Sequence, residues 1–213
     1  MPTSRVGAAL RRRRGGHPRS KRGIGAPVSV AYVLGLAVTT LLGRASGPEG
    51  ARRMKMDAST DVDHLRAAPV RALSTSAFVI DGPLELLQIA LVASTLVPLE
   101  RRIGAVRTAA LFAVGHVGAT LATELPIALA ISRRRLPESS AHRIDVGPSF
   151  GVFAALGAGC SQLPRPIRPW VLLGLLTGQA LVDVANGDAV SGVGHTIALG
   201  IGVSSWPLMP ASR

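Results

Sequence analysis

The sequence predicts an all-α protein, a polytopic membrane bundle of six transmembrane helices, and three observations support this. Of 213 residues, 47% are apolar and only 17% charged, and the mean hydropathy is positive. Six apolar segments follow one another, most of about 16 to 20 residues, the length that crosses ~30 Å of hydrocarbon as helix. The basic residues crowd ahead of the first segment: eight of the 24 Lys and Arg lie in the first 22 positions, Arg11 to Arg14 among them. Basic residues gather on the cytoplasmic side of short topogenic segments, so a cytoplasmic N-terminus in a multi-pass protein of the cell membrane is expected.

In chain order, residues 1–25 read as a basic disordered cytoplasmic tail, 26–207 as the membrane domain and 208–213 as a short tail. The expected spans are Pro27–Leu42, Pro83–Leu99, Ala109–Ile131, Val146–Leu163, Ile167–Val184 and Ala189–Trp206. The second carries Glu85 and Gln88, the fifth Gln179 and Asp183. The first span is too long for a signal-peptide core and others follow it, so it is expected to be retained. Residues 43–81 form the one long connection. Charges mixed with apolar patches such as Ala77-Phe78-Val79-Ile80 suggest an amphipathic stretch at the membrane surface. Connections 100–107 and 164–168 would be cytoplasmic and carry five arginines; 133–144 would lie outside, although it holds Arg133, Arg134, Arg135 and Arg143.

The formal charge of +12 does not indicate nucleic-acid binding, because only seven aromatic residues are present and the basic residues cluster in the tail. Arginine outnumbers lysine 22 to 2, a compositional drift without functional content. Cys160 is the only cysteine, which excludes an internal disulfide and a cysteine metal cage, and it reads as a small residue filling a helix face. No cofactor and no metal are expected; the partners are the lipid bilayer and transmembrane proteins.

The chemistry-bearing pattern is Gly147-Pro148-Ser149-Phe150-Gly151 in the fourth segment and Gly194-His195 in the sixth. A hydroxyl and an imidazole within membrane-length segments are costly to bury, and they are the groups that a serine nucleophile and its general base require. If each segment is helical from its first residue, Ser149 and His195 lie roughly 5 and 9 Å below the outer boundary, within about one turn of each other. Ser191, Ala198 and Gly202 share the face of His195 and would let a neighbouring helix approach closely. Ser149 shares its face with Phe153, Leu156 and Cys160, with Gly157 at the edge. Gly147, Gly151, Ala155 and Gly159 form a second stripe against another helix. In segment three, His116, Thr120 and Glu124 recur every four residues, a polar stripe expected to form an interhelical hydrogen-bonded cluster, with a second-shell network or proton path as the alternative. Asp145 and Asp183 are expected to be solvated or capping residues at the interface.

These residues resemble the rhomboid intramembrane serine proteases, in particular the divergent rhomboid-like proteins of high-GC bacteria. Gly147-Pro148-Ser149 with Ala154 and Gly157 is similar to that family's fourth helix, and Gly194-His195 with Ala198 and Gly202 to its sixth. Glu100-Arg101-Arg102-Ile103-Gly104 resembles its Glu-x-x-x-Gly turn, and the long first connection matches its membrane-embedded loop in place and size. The resemblance spans residues 27–205. It implies a rhomboid-like fold and a Ser149–His195 dyad in a cavity opening outward, with the backbone N–H of Ser149 in the oxyanion hole.

Two positions depart from the family pattern. The side-chain oxyanion donors of the second helix, usually His and Asn, correspond to Leu84 and Gln88, so Gln88 is the remaining candidate donor. The glycine that usually follows the serine is Phe150, which would narrow access to the hydroxyl. The expected function is therefore intramembrane proteolysis of membrane-spanning or membrane-proximal substrates. The alternative is a catalytically inactive rhomboid-like protein that binds transmembrane clients. A small transporter, motivated by the polar stripe, would require paired broken helices or an inverted repeat, and neither stands out.

Overall fold

The computed structural model describes residues 25–82 and 84–210. The tail expected at 1–25 falls almost wholly outside the described residues, as do residues 211–213. Among the described residues every regular element is helical. α1 (Pro27–Ala45) leads into three short helices, α2 (Gly47–Ala58), α3 (Val62–Ala67) and α4 (Pro69–Ser76). Five further helices follow: α5 (Glu85–Ile103), α6 (Ala105–Ser132), α7 (Ser149–Gly159), α8 (Arg168–Asn186) and α9 (Ala189–Ser204).

Among the described residues three helices are long and apolar enough to cross a membrane: Pro27–Ala45, Ala105–Ser132 and the continuous helical stretch Arg165–Asn186. α5 has the length, but Glu85 at its start and Glu100, Arg101 and Arg102 in its last turn shorten its apolar run. α9 has 16 residues. The expected fourth span needs correction: the segment 146–163 is not one helix. Gly147 takes φ +137°, a conformation open to glycine, and the α-helix starts only at Ser149 and runs 11 residues, about 17 Å. The depth arithmetic based on a helix starting at Val146 therefore does not apply.

Contacts between helix ends order the bundle. Glu100, at the end of α5, caps the start of α1: its carboxylate accepts the N–H of Val28 at 3.2 Å, and the N–H and hydroxyl of Ser29 at 2.6 Å each. Four unpaired N–H groups and the positive end of the helix dipole favour an anion there. Gly104, at φ +91°, then turns the chain into α6. Arg168, starting α8, donates to the carbonyls of Ser161 and Leu163 beyond α7, and its guanidinium lies 5.3 Å from the Trp206 ring centroid beyond α9. One end of the bundle thus gathers the starts of α1, α6 and α8 with the finishes of α5, α7 and α9. At the other end Arg44, finishing α1, pairs with Glu85, starting α5, at 2.8 Å.

α7 is the central helix, packed against α5, α6 and α9. Its short side chains set the spacing. A Cβ on Gly115 of α6 would fall 2.2 Å from that of Ala154. One on Gly202 of α9 would fall 2.1 Å from the Ala154 carbonyl, and one on Gly157 would fall 2.4 Å from the Leu199 carbonyl. Backbones this close gain dispersion and polar contacts that lipid tails do not supply. Gly202, which the sequence placed on a face open to close approach, makes that approach to α7. The second stripe of α7 also meets another helix, since Gly151 is filled by the Phe112 ring of α6. α8 is the peripheral helix: Asp183 is its single buried residue, and Trp170, Leu181 and Val184 face outward.

Residues 43–81 fold as the short helices described, not as a free linker. Ala77, Val79 and Ile80 turn inward, and the Tyr32 hydroxyl donates to the Ala77 carbonyl.

Candidate functional site

The end of the bundle where α7 and α9 begin holds the candidate residues. The strand of chain leading to Ser149 is fixed from both sides. Thr60 donates its N–H (2.8 Å) and hydroxyl (3.0 Å) to the Asp145 carbonyl, while the Asp145 N–H donates to Ser59 Oγ at 3.0 Å. Gly147 N–H donates to the Ser76 carbonyl at 3.0 Å. Ser149 follows as the first residue of α7, half-buried, its N–H among those left unpaired at a helix start.

Across the interface His195 is buried on α9. Its ring packs on two residues of α7's first turns: Phe150 at 5.1 Å and 70° between planes, and Phe153 at 4.7 Å and 43°. Phe150, placed by the sequence at the mouth of the site, instead fills the α7–α9 interface, and a Cβ on Gly194 would meet its ring at 2.3 Å. Only a glycine before the histidine admits that ring. His195 Nδ1 lies 3.3 Å from Asp183 Oδ2. Nε2 is buried without a hydrogen-bond partner among the described residues, and no hydrogen bond joins it to Ser149.

Asp183 is the residue whose role sequence reasoning missed. Expected at the interface as a solvated or capping group, it is 6% exposed and accepts from Gln179 Nε2 at 2.8 Å on its other oxygen. The signal was available as an acid in the last turn of α8, separated from α9 by a single tight turn with Gly187 at φ +68°.

Arg143 was the other residue left unexplained. Its side chain turns inward: Nη2 lies 2.6 Å from Glu124 and 3.6 Å from Asp145, and Nη1 lies 3.7 Å from Asp188. Burial opposes its charge, but these three carboxylates outweigh burial and hold the guanidinium above its ordinary range. One arginine thus ties α6, the loop before Ser149 and the cap of α9. Asp188 caps α9 by accepting the Ser191 N–H at 3.0 Å and its hydroxyl at 2.5 Å. Burial tends to raise this carboxyl, yet Ser191 and Arg143 hold it below its usual range.

The polar stripe of α6 faces inward throughout, with His116, Thr120 and Glu124 all buried. The three side chains do not bond to one another. His116 Nε2 lies 3.1 Å from both Ser76 Oγ and the Leu73 carbonyl on α4, Glu124 meets Arg143, and Thr120 Oγ1 has no partner among the described residues. Gln88 donates its amide to the Asp81 carbonyl at 2.8 Å, and Leu84 is exposed. Among the described residues no three His, Cys, Asp or Glu side chains converge as a metal site.

Comparison with known families decides the affiliation: the sequence model of the rhomboid-like protein family matches residues 24–213. The chain belongs to the rhomboid-like family. No curated protein and no solved structure matches it. Within this rhomboid-like chain the Glu100 and Gly104 positions have a physical role in capping α1 and turning the chain into α6.

Proposed function

We propose that this rhomboid-like chain is a six-span intramembrane serine protease of the cell membrane, with Ser149 as nucleophile and His195 as general base. α5, α7 and α9 complete the crossings begun by the three longer apolar helices. α7 can be shorter than the bilayer because α5, α6 and α9 shelter it from lipid. With the basic tail in the cytoplasm, Ser149 and His195 open to the outer side.

The observation that carries the reading is the unpartnered, buried Nε2 of His195 on a ring packed against the first turns of Ser149's own helix. A buried imidazole nitrogen with a free lone pair is costly unless a ligand or reaction uses it. Ser149 Oγ attacks the scissile carbonyl as Nε2 takes its proton, and the same nitrogen then protonates the leaving amine. The developing oxyanion meets the Ser149 N–H at the start of α7, where the helix dipole favours negative charge. Water, deprotonated by the same imidazole, then releases the acyl group from Ser149. Substrates are transmembrane or membrane-proximal proteins.

The test is labelling of purified protein with a fluorophosphonate. Ser149 should react, and Ser149→Ala and His195→Ala should each abolish the reaction. Labelling that survives His195→Ala unchanged removes His195 as the base. Orientation is tested with single cysteines in a Cys160→Ser background: Ser140→Cys should label from outside and Ala105→Cys from inside, and the reverse pattern overturns it.

A second reading, an inactive client-binding protein, is favoured by one observation: the candidate oxyanion donor Gln88 spends its amide on Asp81. Folded protein that is inert to the probe supports that reading.

A further inference from the structure

We infer that Asp183 is a positioning residue that fixes the tautomer of His195, extending the proposed dyad to a carboxylate–imidazole–hydroxyl triad; the inference rests on the protease reading for its purpose but not for its geometry. His195 has one nitrogen 3.3 Å from Asp183 Oδ2 and the other buried without a partner. A carboxylate can only accept, so Nδ1 carries the hydrogen and Nε2 keeps its lone pair. That is the protonation state a base needs, with the free nitrogen toward the nucleophile. The carboxylate also stabilises the imidazolium that forms when the serine proton arrives.

The surroundings are arranged for this pairing. Gln179, one turn earlier on α8, donates to Asp183 Oδ1 at 2.8 Å, which fixes the carboxylate plane and leaves Oδ2 for the histidine. Gly192, one turn before His195 on α9, provides the space: a Cβ there would stand 3.2 Å from Oδ2 and 3.4 Å from the Asp183 Cβ. The α8–α9 turn at Gly187, closed by the Asp188 N–H to Asp183 carbonyl bond of 2.9 Å, holds the helices in register. Other charged groups near His195 are Asp188 at the cap of its own helix and Asp145 before α7, and both are engaged by Arg143. Asp183 is therefore the carboxylate left to the imidazole.

The test removes the acceptor. In Asp183→Leu, His195 Nδ1 loses the carboxylate that holds its hydrogen, so the Nδ1–H form is no longer favoured. Nitrogen-15 NMR of histidine-labelled protein, with His195 assigned by its loss in His195→Ala, reads the tautomer directly and needs no activity. Wild type should show Nδ1–H, and Asp183→Leu should lose that preference to Nε2–H. Fluorophosphonate labelling should fall on the order of 100-fold or more in Asp183→Leu.

An Nε2–H signal in wild type, or one tautomer shared by wild type and Asp183→Leu, overturns the inference. So does a folded Asp183→Leu that labels as fast as wild type. Wild type that shows Nδ1–H but never labels retains Asp183 as the positioning residue and defeats the protease reading alone.

Discussion

Two buried histidines, His116 between α4 and α6 and His195 between α7, α8 and α9, differ in the way that, on the protease reading proposed above, separates a structural imidazole from a base. Each has one nitrogen engaged and one buried without a partner among the described residues. His116 offers Nε2 to the Leu73 carbonyl, which can only accept, so its hydrogen sits on Nε2 and the adjacent Ser76 hydroxyl gains no base. His195 offers Nδ1 to a carboxylate, so its lone pair remains on Nε2. Both rings are buried and lie near aromatic rings, and His116 stacks on Phe112 at 6.2 Å between centroids. The difference lies in which nitrogen the partner occupies. A serine beside a histidine is not by itself a nucleophile.

Arg143 links the two regions, since Glu124 shares α6 with His116 while Asp188 caps the helix of His195. Glu124→Gln should therefore have the largest effect, because it leaves a half-buried guanidinium short of its strongest partner. Thermal unfolding in detergent should report a loss of about 3 kcal/mol, with slower labelling as the starts of α7 and α9 loosen. Unchanged stability would remove Arg143 as the tie.

Next is the α7–α9 contact itself. Gly202→Ala places a Cβ against backbone and should cost about 1–3 kcal/mol. Gly200→Ala on the same helix meets open space and should be neutral or stabilising by up to ~1 kcal/mol. Equal effects at the two glycines would contradict the close packing around His195.

His116→Leu should cost about 1 kcal/mol or less, the scale of one interhelical hydrogen bond in a membrane, and leave fluorophosphonate labelling intact. Loss of labelling in a fully stable variant would give the α6 stripe a functional role and erase the contrast.

The smallest expected effect is an acid limb. Asp188 has a depressed folded-state pKa, so its contribution is complete above the ordinary aspartate range of about 3.9. It is lost as pH falls below that toward the lower folded value. Asp188→Asn should flatten the stability profile below about pH 4 and change little near neutrality; an unaltered acid limb would assign it to other carboxylates.

Much of this arrangement was legible in the residues. Apolar segment length located α1, α5, α6, α8 and α9, the four-residue period of His116, Thr120 and Glu124 put them inward, and Gly202 marked a face of close helix approach. Composition did not reveal where α7 begins, because Val146, Gly147 and Pro148 are as compatible with a membrane segment as with the turn they form. Arg143 read only as one arginine of the 133–144 connection because Glu124 and Asp188 lie on elements distant in sequence. Asp183 read as a cap because its pairing with His195 depends on how two antiparallel helices register across Gly187. Ser59, Thr60 and Ser76, which hold the serine loop, carry no local pattern at all.

The central claim, that His195 Nε2 serves the residue at position 149, is tested most directly by a thiol in place of the hydroxyl. In Ser149→Cys with Cys160→Ser, the rate of alkylation by a small maleimide is followed against pH, with and without His195→Ala. A base within reach should make the thiol react well below the ordinary cysteine midpoint of about 8.5, and His195→Ala should return the profile to that midpoint or above it. Superimposable profiles for the two proteins would contradict the account.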